Sequence, residues 1–241
     1  MHSTAQAPEY VILPDREAVS HAAAVRLVAL AAGRADSSPF TIALSGGSTP
    51  RRLFELLACP PYRTQLPWDH IHLFWGDERS VPPHHADSNY RMTREALLDH
   101  VDIPAQNVHR IRGELPPPEA AQLYRAELKT WMGKNPRFDL VLLGVGDDGH
   151  TASLFPGAPS LEEQDQTAIA VYAPHLDSWR VTLTLPVLNR AQHVLFLVSG
   201  ANKAPALARI RAGDPLPAGR IRPSRGTLTW LLDRGAAGER P

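Results

Sequence analysis

Cysteine is nearly absent. Cys59 is the single thiol in 241 residues, which excludes an internal disulfide framework and a metal site built from several thiolates. A reducing compartment is the expectation, with the cytoplasm as the place it suggests. Neither sign of charge is in excess, since 25 lysines and arginines balance 25 aspartates and glutamates. No basic face is implied, so nucleic acid is not an expected partner. No apolar run approaches the roughly 20 residues that a membrane helix needs, and Arg26 interrupts the alanine-rich stretch near the start. Residues Met1 to Pro8 lack a basic patch followed by an apolar core, so they are not read as a signal peptide. Internal repeats and low-complexity segments are also missing.

Motifs of other chemistries are also lacking. The glycine loop at 45–50 is neither G-x-G-x-x-G nor G-x-x-x-x-G-K-[ST], so it indicates neither a dinucleotide nor a nucleoside triphosphate. There is no G-x-S-x-G elbow for a serine nucleophile. Cys59 ends an apolar helix before Pro60-Pro61 and is expected in the core. No credible set of metal ligands is present. His84 and His85 are adjacent in a proline-rich loop, and of His70 and His72 only His72 lies in an apolar run. Packed or surface histidines are the better reading there.

What is present is an alternation of strands and helices. Residues 10–13, 40–44, 71–75, 108–111, 140–143, 168–172, 180–185 and 193–198 read as strands. Helices are predicted from Pro14-Asp15 to Ala32 with Gly33 as the stop, from Pro50 onward, from Asp87 or Ser88 to about His100, over 119–131, and from 199–203 to about Ile210. Residues 151–155 suggest one helical turn before Pro156-Gly157. In 180–185, Val181, Leu183 and Leu185 alternate with Thr182 and Thr184, as on a strand with two unlike faces. Residues 227–232 are apolar enough for the core but fit strand or helix equally, and 214–223 is a proline-rich excursion. The pattern predicts an α/β fold, a mostly parallel sheet with helices on both faces. No composition break divides the chain, so residues 1–241 read as one domain.

Parallel strands present their carboxyl ends along one edge. Four polar loops follow predicted strand ends, at 45–50, 76–79, 144–150 and 199–203, and a parallel sheet gathers them. In the first, Gly46, Gly47, Ser48 and Thr49 open a helix, with Pro50 suited to its first position and Ser48 or Thr49 to the cap. Glycines let the backbone approach an anion, and free N–H groups and hydroxyls point at it, which makes a phosphate cradle. Taken alone, a glycine before a capped helix is also ordinary turn chemistry. Lys203 and Arg180 could add charge to the same anion, although either alone reads as a solvated surface residue. In the third loop, His150 is the candidate general base or acid. Asp77, Asp147 and Asp148 are candidate orienting or relay carboxylates. A tight turn carrying a solvated Asp pair is the alternative for that loop in isolation.

Taken together, these motifs resemble the glucosamine-6-phosphate deaminase/6-phosphogluconolactonase superfamily, on its lactonase side. The resemblance rests on Ser45-Gly46-Gly47-Ser48-Thr49-Pro50, Trp75-Gly76-Asp77-Glu78-Arg79-Ser80-Val81-Pro82, Ser88-Asn89, the run from Gly144 to Gly157, Arg180-Val181-Thr182-Leu183-Thr184, and Gly200-Ala201-Asn202-Lys203-Ala204. Asp-Gly-His-Thr-Ala-Ser-Leu-Phe-Pro-Gly is its most specific piece. The resemblance implies a Rossmann-like α/β sheet and hydrolysis of 6-phosphoglucono-1,5-lactone in the oxidative pentose phosphate pathway, with no metal or organic cofactor. It implies phosphate binding by Gly46, Gly47, Ser48 and Thr49 with Lys203 and Arg180, Arg79 facing the substrate, and His150 activating water. A small-molecule sugar-phosphate lactone is the implied partner, and a monomer or weak homo-oligomer the expected state.

Two other classes stay open. One is an amino-sugar phosphate deaminase/isomerase on the same fold. The deaminase loop resembles Asp-Gly-His-Ile-Ala-Phe-Asn-Glu-Pro, with a glutamate where this chain has Phe155, and phenylalanine cannot relay a proton. The other is a non-catalytic sugar-phosphate-binding regulator, for which a DNA-binding module would be expected and no basic segment is present.

Overall fold

The structure is a computed structural model that describes residues 7–33 and 38–239. Six of the eight N-terminal residues read above as no signal peptide lie outside the described residues. In chain order the elements are β1 (Glu9–Leu13), α1 (Arg16–Ala32), β2 (Phe40–Leu44), α2 (Ser48–Leu57), α3 (Tyr62–Gln65), β3 (Ile71–Trp75), β4 (Asp77–Arg79), α4 (Asn89–Ala96), β5 (Val108–His109), α5 (Pro117–Met132), β6 (Leu140–Leu143), β7 (Ala168–Ala173), β8 (Ser178–Leu183), α6 (Leu185–Leu188), β9 (His193–Val198), α7 (Ala204–Arg211), β10 (Thr227–Asp233) and α8 (Arg234–Ala237).

Seven strands form one sheet in the order β1-β10-β9-β6-β2-β3-β5. Every pairing in it is parallel, and helices pack around it, so the α/β expectation holds. β2, β3 and β6 are buried at every position. That is why they read as continuous apolar runs rather than alternations. The unassigned segment 227–232 is β10, threaded between β1 and β9. Its Trp230 stacks on Phe196 of β9 with ring centroids 3.8 Å apart. An apolar run of that length fits a buried strand or a buried helix until its neighbours are known.

Local punctuation was largely readable. The Asp15 carboxylate caps α1, accepting the Ala18 N–H at 2.8 Å, and Ser88 caps α4 by accepting the Arg91 N–H at 3.1 Å. Several expectations are corrected. The helix after Ser88 ends at Ala96, followed by a 3-10 turn over Leu98–His100. The strand expected over 108–111 shrinks to Val108–His109. The loop 199–203 enters a 3-10 turn, Ala201–Lys203, before α7 begins. Cys59 is exposed. It lies past the C-terminal end of α2, where Ala58 is the cap and the chain turns outward into Pro60-Pro61. Residues 151–155 make no helical turn. Thr151 and Leu154 instead exchange backbone hydrogen bonds of 2.9 and 3.4 Å across a tight reversal with Ala152 at φ 48°.

The largest departure is a second sheet, antiparallel, in the order β4-β8-β7. Asp77-Glu78-Arg79 looks like loop in sequence because it is polar. Its backbone is nevertheless paired to β8, about a hundred residues later, with Arg79 opposite Arg180. β8 itself spans Ser178–Leu183, not 180–185, and Leu185 begins α6. Thr182 and Thr184, set on the face opposite Val181 and Leu183 by the expected alternation, are fully buried: Thr182 Oγ1 accepts the Ser153 N–H at 3.2 Å, and Thr184 Oγ1 donates to the Gln166 carbonyl at 2.8 Å.

Away from the carboxyl edge, β3 and β5 bury two histidines. His72 Nδ1 lies 3.0 Å from His109 Nε2, and His109 Nδ1 lies 2.7 Å from Glu127 of α5. Burial pushes the His72 imidazole down to about 4 from its ordinary 6.5 and the charge of His109 adds to this. His109 is also lowered, by burial, against the pull of Glu127. The folded protein therefore binds fewer protons here than the unfolded chain, so stability is full above about pH 6.5 and is lost as pH falls toward 4. Urea midpoints measured between pH 7 and 4 are expected to fall with pH in the wild type and more shallowly in His72→Leu. Equal slopes for the two proteins would remove His72 as the cause.

Candidate active site at the carboxyl edge of the sheet

β9, β6, β2 and β3 are neighbours in that order, so the loops after them open side by side, as the parallel reading required. They enclose a cavity of about 290 Å³ walled by Ser45, Gly46, Gly47, Asp77, Arg79, Asn89, Gly144, Val145, Gly146, His150, Ala152 and Lys203. Larger hollows exist, such as the 1040 Å³ groove along Arg51, Arg63 and Asp99, but none of them collects the strand ends.

Gly47, at φ 107°, is the cap of α2, whose first residues are Ser48 and Thr49. Pro50 is thus the third helical residue rather than the first, and neither hydroxyl is the cap. The N–H groups of Gly47, Ser48 and Thr49 have no acceptor within the helix, and proline removes the next donor. Gly46 is fixed by crowding: a Cβ there would meet Asn89 Oδ1 at 2.0 Å. Ser48 is exposed and Thr49 is buried, and neither side chain is in the cavity wall.

The Gly144–His150 loop is closed by backbone bonds from Gly146 N to His150 O and from Gly149 N to Gly146 O, both 2.9 Å. His150 Nδ1 lies 2.6 Å from Asp148 Oδ1, which also accepts the His150 backbone N–H at 3.0 Å. A carboxylate only accepts, so the proton is on Nδ1 and the Nε2 lone pair is free. Burial pushes the Asp148 carboxyl up, but the His150 backbone N–H and imidazole outweigh it and hold Asp148 below its ordinary value. Phe155 flanks the imidazole at 4.9 Å between centroids. Gly146 lies so near the ring that a Cβ would meet Nδ1 at 2.0 Å. Asp148 thus stands behind His150, outside the wall.

The other two carboxylates considered as partners of His150 are engaged elsewhere. Asp147 accepts the Lys203 ammonium and, at 2.9 Å, the Asn202 amide. The Lys203 hydrogen bond lowers its carboxyl below the ordinary value. Asp77 is buried and accepts from Ser153 Oγ at 2.6 Å and from Asn89 Nδ2 at 3.4 Å. Its neighbour Glu78 turns the other way. It accepts the Arg79, Asn89 and Tyr90 N–H groups and the Ser88 hydroxyl, at 2.7 to 3.0 Å, and burial pushes its carboxyl up. Glu78 therefore pins the start of α4 to β4 and so sets where Asn89 meets Asp77.

Arg79 and Arg180 lie opposite each other on β4 and β8. Arg79 Nη1 donates to the Asp87 carbonyl at 2.6 Å, while the buried Nε of each arginine has no partner. Burial, and then the charge of Arg79, lower the Arg180 guanidinium from its ordinary range. An anion beside the pair would relieve that strain between like charges. Arg180 is not part of the cavity wall.

Of the residues singled out in the sequence, Gly46, Gly47, Asp77, Arg79, His150 and Lys203 meet in one wall. Ser48, Thr49, Asp148 and Arg180 lie around it. Asn89 and Ser153 were not singled out for a role, although both fall inside the quoted motifs, and that inclusion was their only signal. The 214–223 excursion also gains a place. Leu216 lies under Gly149, where a Cβ would meet it at 2.7 Å, and the Ala218 N–H bonds the Gly149 carbonyl at 3.1 Å. Among the described residues no cluster of three or more His, Cys, Asp or Glu is arranged to hold a metal ion, and no helix is long and apolar enough to cross a membrane.

Comparison with known proteins adds a family to this geometry. The family model described as glucosamine-6-phosphate isomerases/6-phosphogluconolactonase matches residues 14–230. The chain belongs to that family. Within it, the chain is 44% identical over 238 residues to a 6-phosphogluconolactonase of Nostoc, covering 95% of this chain and 96% of the relative. A Synechocystis protein of the same name is 50% identical over 206 residues, covering 81% and 82%. Among solved structures, a 6-phosphogluconolactonase from Trypanosoma cruzi superposes with a TM-score of 0.86 at 30% identity, covering 99% and 98%. A monomeric glucosamine-6-phosphate deaminase shares the fold of this family with a TM-score of 0.81 at 19% identity.

Proposed function

We propose that this chain hydrolyses 6-phosphoglucono-1,5-lactone to 6-phosphogluconate in the pentose phosphate pathway, with His150 as the general base for the attacking water. The chain is an enzyme, a lactone hydrolase, as its near full-length relatives support. The observation that carries the mechanism is a histidine with one nitrogen held by Asp148 and the other free, in the same cavity as a helix start that no side chain caps and a lysine.

In this reading, Nε2 of His150 takes a proton from water as its oxygen adds to the lactone carbonyl. Asp148 stabilises the imidazolium that forms. Arg79 donates to the oxygen that gains charge. The C1–O bond of the ring then breaks, and the imidazolium returns its proton to the leaving ring oxygen. Asp77, held by Ser153 and Asn89, accepts from sugar hydroxyls. The Gly46–Thr49 backbone and Lys203 take the phosphate, with Arg180 adding positive charge nearby. A lactone is an activated ester, so general-base help of about 10²–10⁴-fold is sufficient.

The test uses freshly prepared lactone, with spontaneous hydrolysis subtracted. Lactone consumption proportional to enzyme is expected, with no ammonia or fructose 6-phosphate from glucosamine 6-phosphate. Phe155, buried against His150, supplies no carboxylate for a ring-opening relay. Ammonia release at a rate comparable to lactone hydrolysis would move the chain to the deaminase side of the family.

A further inference from the structure

Lys203 lines the cavity, and its side chain is 24% exposed. Its ammonium already has a carboxylate partner, an acceptor for one of its three N–H groups. Asp147 Oδ1 accepts it, and Asn202 Nδ2 donates to that same oxygen at 2.9 Å. Asp147 stands outside the wall and is 64% exposed. It is bonded in sequence to Asp148, which holds His150, so the carboxylate is on the loop that carries the base.

We propose that Asp147 is a built-in competitor for the substrate phosphate: its carboxylate occupies Lys203 in the free enzyme, and a ligand must be anionic enough to displace it. This rests on placing the phosphate at the α2 start and Lys203. A phosphate dianion carries twice the charge of a carboxylate and three acceptor oxygens, and it also receives the free N–H groups of Ser48 and Thr49. It therefore wins the exchange. A neutral sugar hydroxyl or a monoanionic carboxylate has no such advantage and leaves the Asp147–Lys203 pair intact. Asp147 can release Lys203 at low cost, because its carboxylate is largely in water and Asn202 can continue to donate to it. The residue thus acts on specificity: it weakens all binding at Lys203 and penalises weakly charged ligands most.

An exposed pair is worth little, so the expected effect is modest, about 3- to 5-fold in affinity. The probe is inorganic phosphate, titrated calorimetrically into the full chain as wild type, Asp147→Asn, Lys203→Ala and the double variant. Asp147→Asn is expected to tighten phosphate binding about 3- to 5-fold, and the same substitution in the Lys203→Ala background to change it less than about 1.5-fold. An equal gain in both backgrounds would mean that Asp147 acts through its long-range field and not by occupying Lys203. No gain, or no phosphate binding by any of the four proteins, would also overturn the proposal. Lactonase activity measured on the same preparations separates the two readings. Coupling without lactonase activity sinks the function and keeps the competitor. Activity without coupling does the reverse.

Discussion

His150→Ala is expected to lower kcat by at least about 10²-fold, with kcat/KM falling by the same factor. The imidazole is the proposed base, and it lines the cavity with a free ring nitrogen and a carboxylate partner. Removing it leaves water to be deprotonated by solvent. KM is expected to change little, because the proposed phosphate contacts are on other loops. The fold is expected to survive. The side chain is 31% exposed, its one ring neighbour among the described residues is Phe155, and the backbone bonds of its loop do not use it. Gly146→Ala is a second route to the same loss, since its methyl would occupy the space of Nδ1. Turnover within about tenfold of wild type in His150→Ala, at an unchanged melting temperature, would remove His150 from the mechanism.

The second large effect concerns the phosphate. Unphosphorylated gluconolactone is expected to react with kcat/KM lower by about 10³-fold. Two charge-assisted hydrogen bonds at roughly 1.5–3 kcal/mol each account for a factor of about 10²–10⁴. Lys203→Ala is expected to take about one to two of those decades, mainly as a rise in KM. Arg180→Ala is expected to do less, because Arg180 is beside the wall and not in it. Equal kcat/KM for the two lactones would contradict a phosphate site at the α2 start.

Much of this was legible because the signals are local. A buried parallel strand must be apolar on both faces, so 40–44, 71–75, 140–143 and 193–198 stood out as short apolar runs. Helix caps such as Asp15 and Ser88 act over three residues, so they too could be read. Parallel strands share a carboxyl edge by geometry, and that alone predicted that the glycine loop, the Asp-His loop and Lys203 meet. The His150–Asp148 pair spans only two residues, so its members were visible as candidates.

What the sequence could not decide was every choice made between distant residues. Three aspartates were equivalent candidates for His150. Asp147 went to Lys203, 56 residues away, and Asp77 to Ser153, 76 residues away. Polar 77–79 read as loop because its strand partner is about a hundred residues later, and 227–232 had no assignment until β1 and β9 flanked it. Hydrophobic period and capping report the chain's own next few residues. Strand pairing, carboxylate partners and the support under the Gly144–His150 loop depend on contacts that only the folded packing creates.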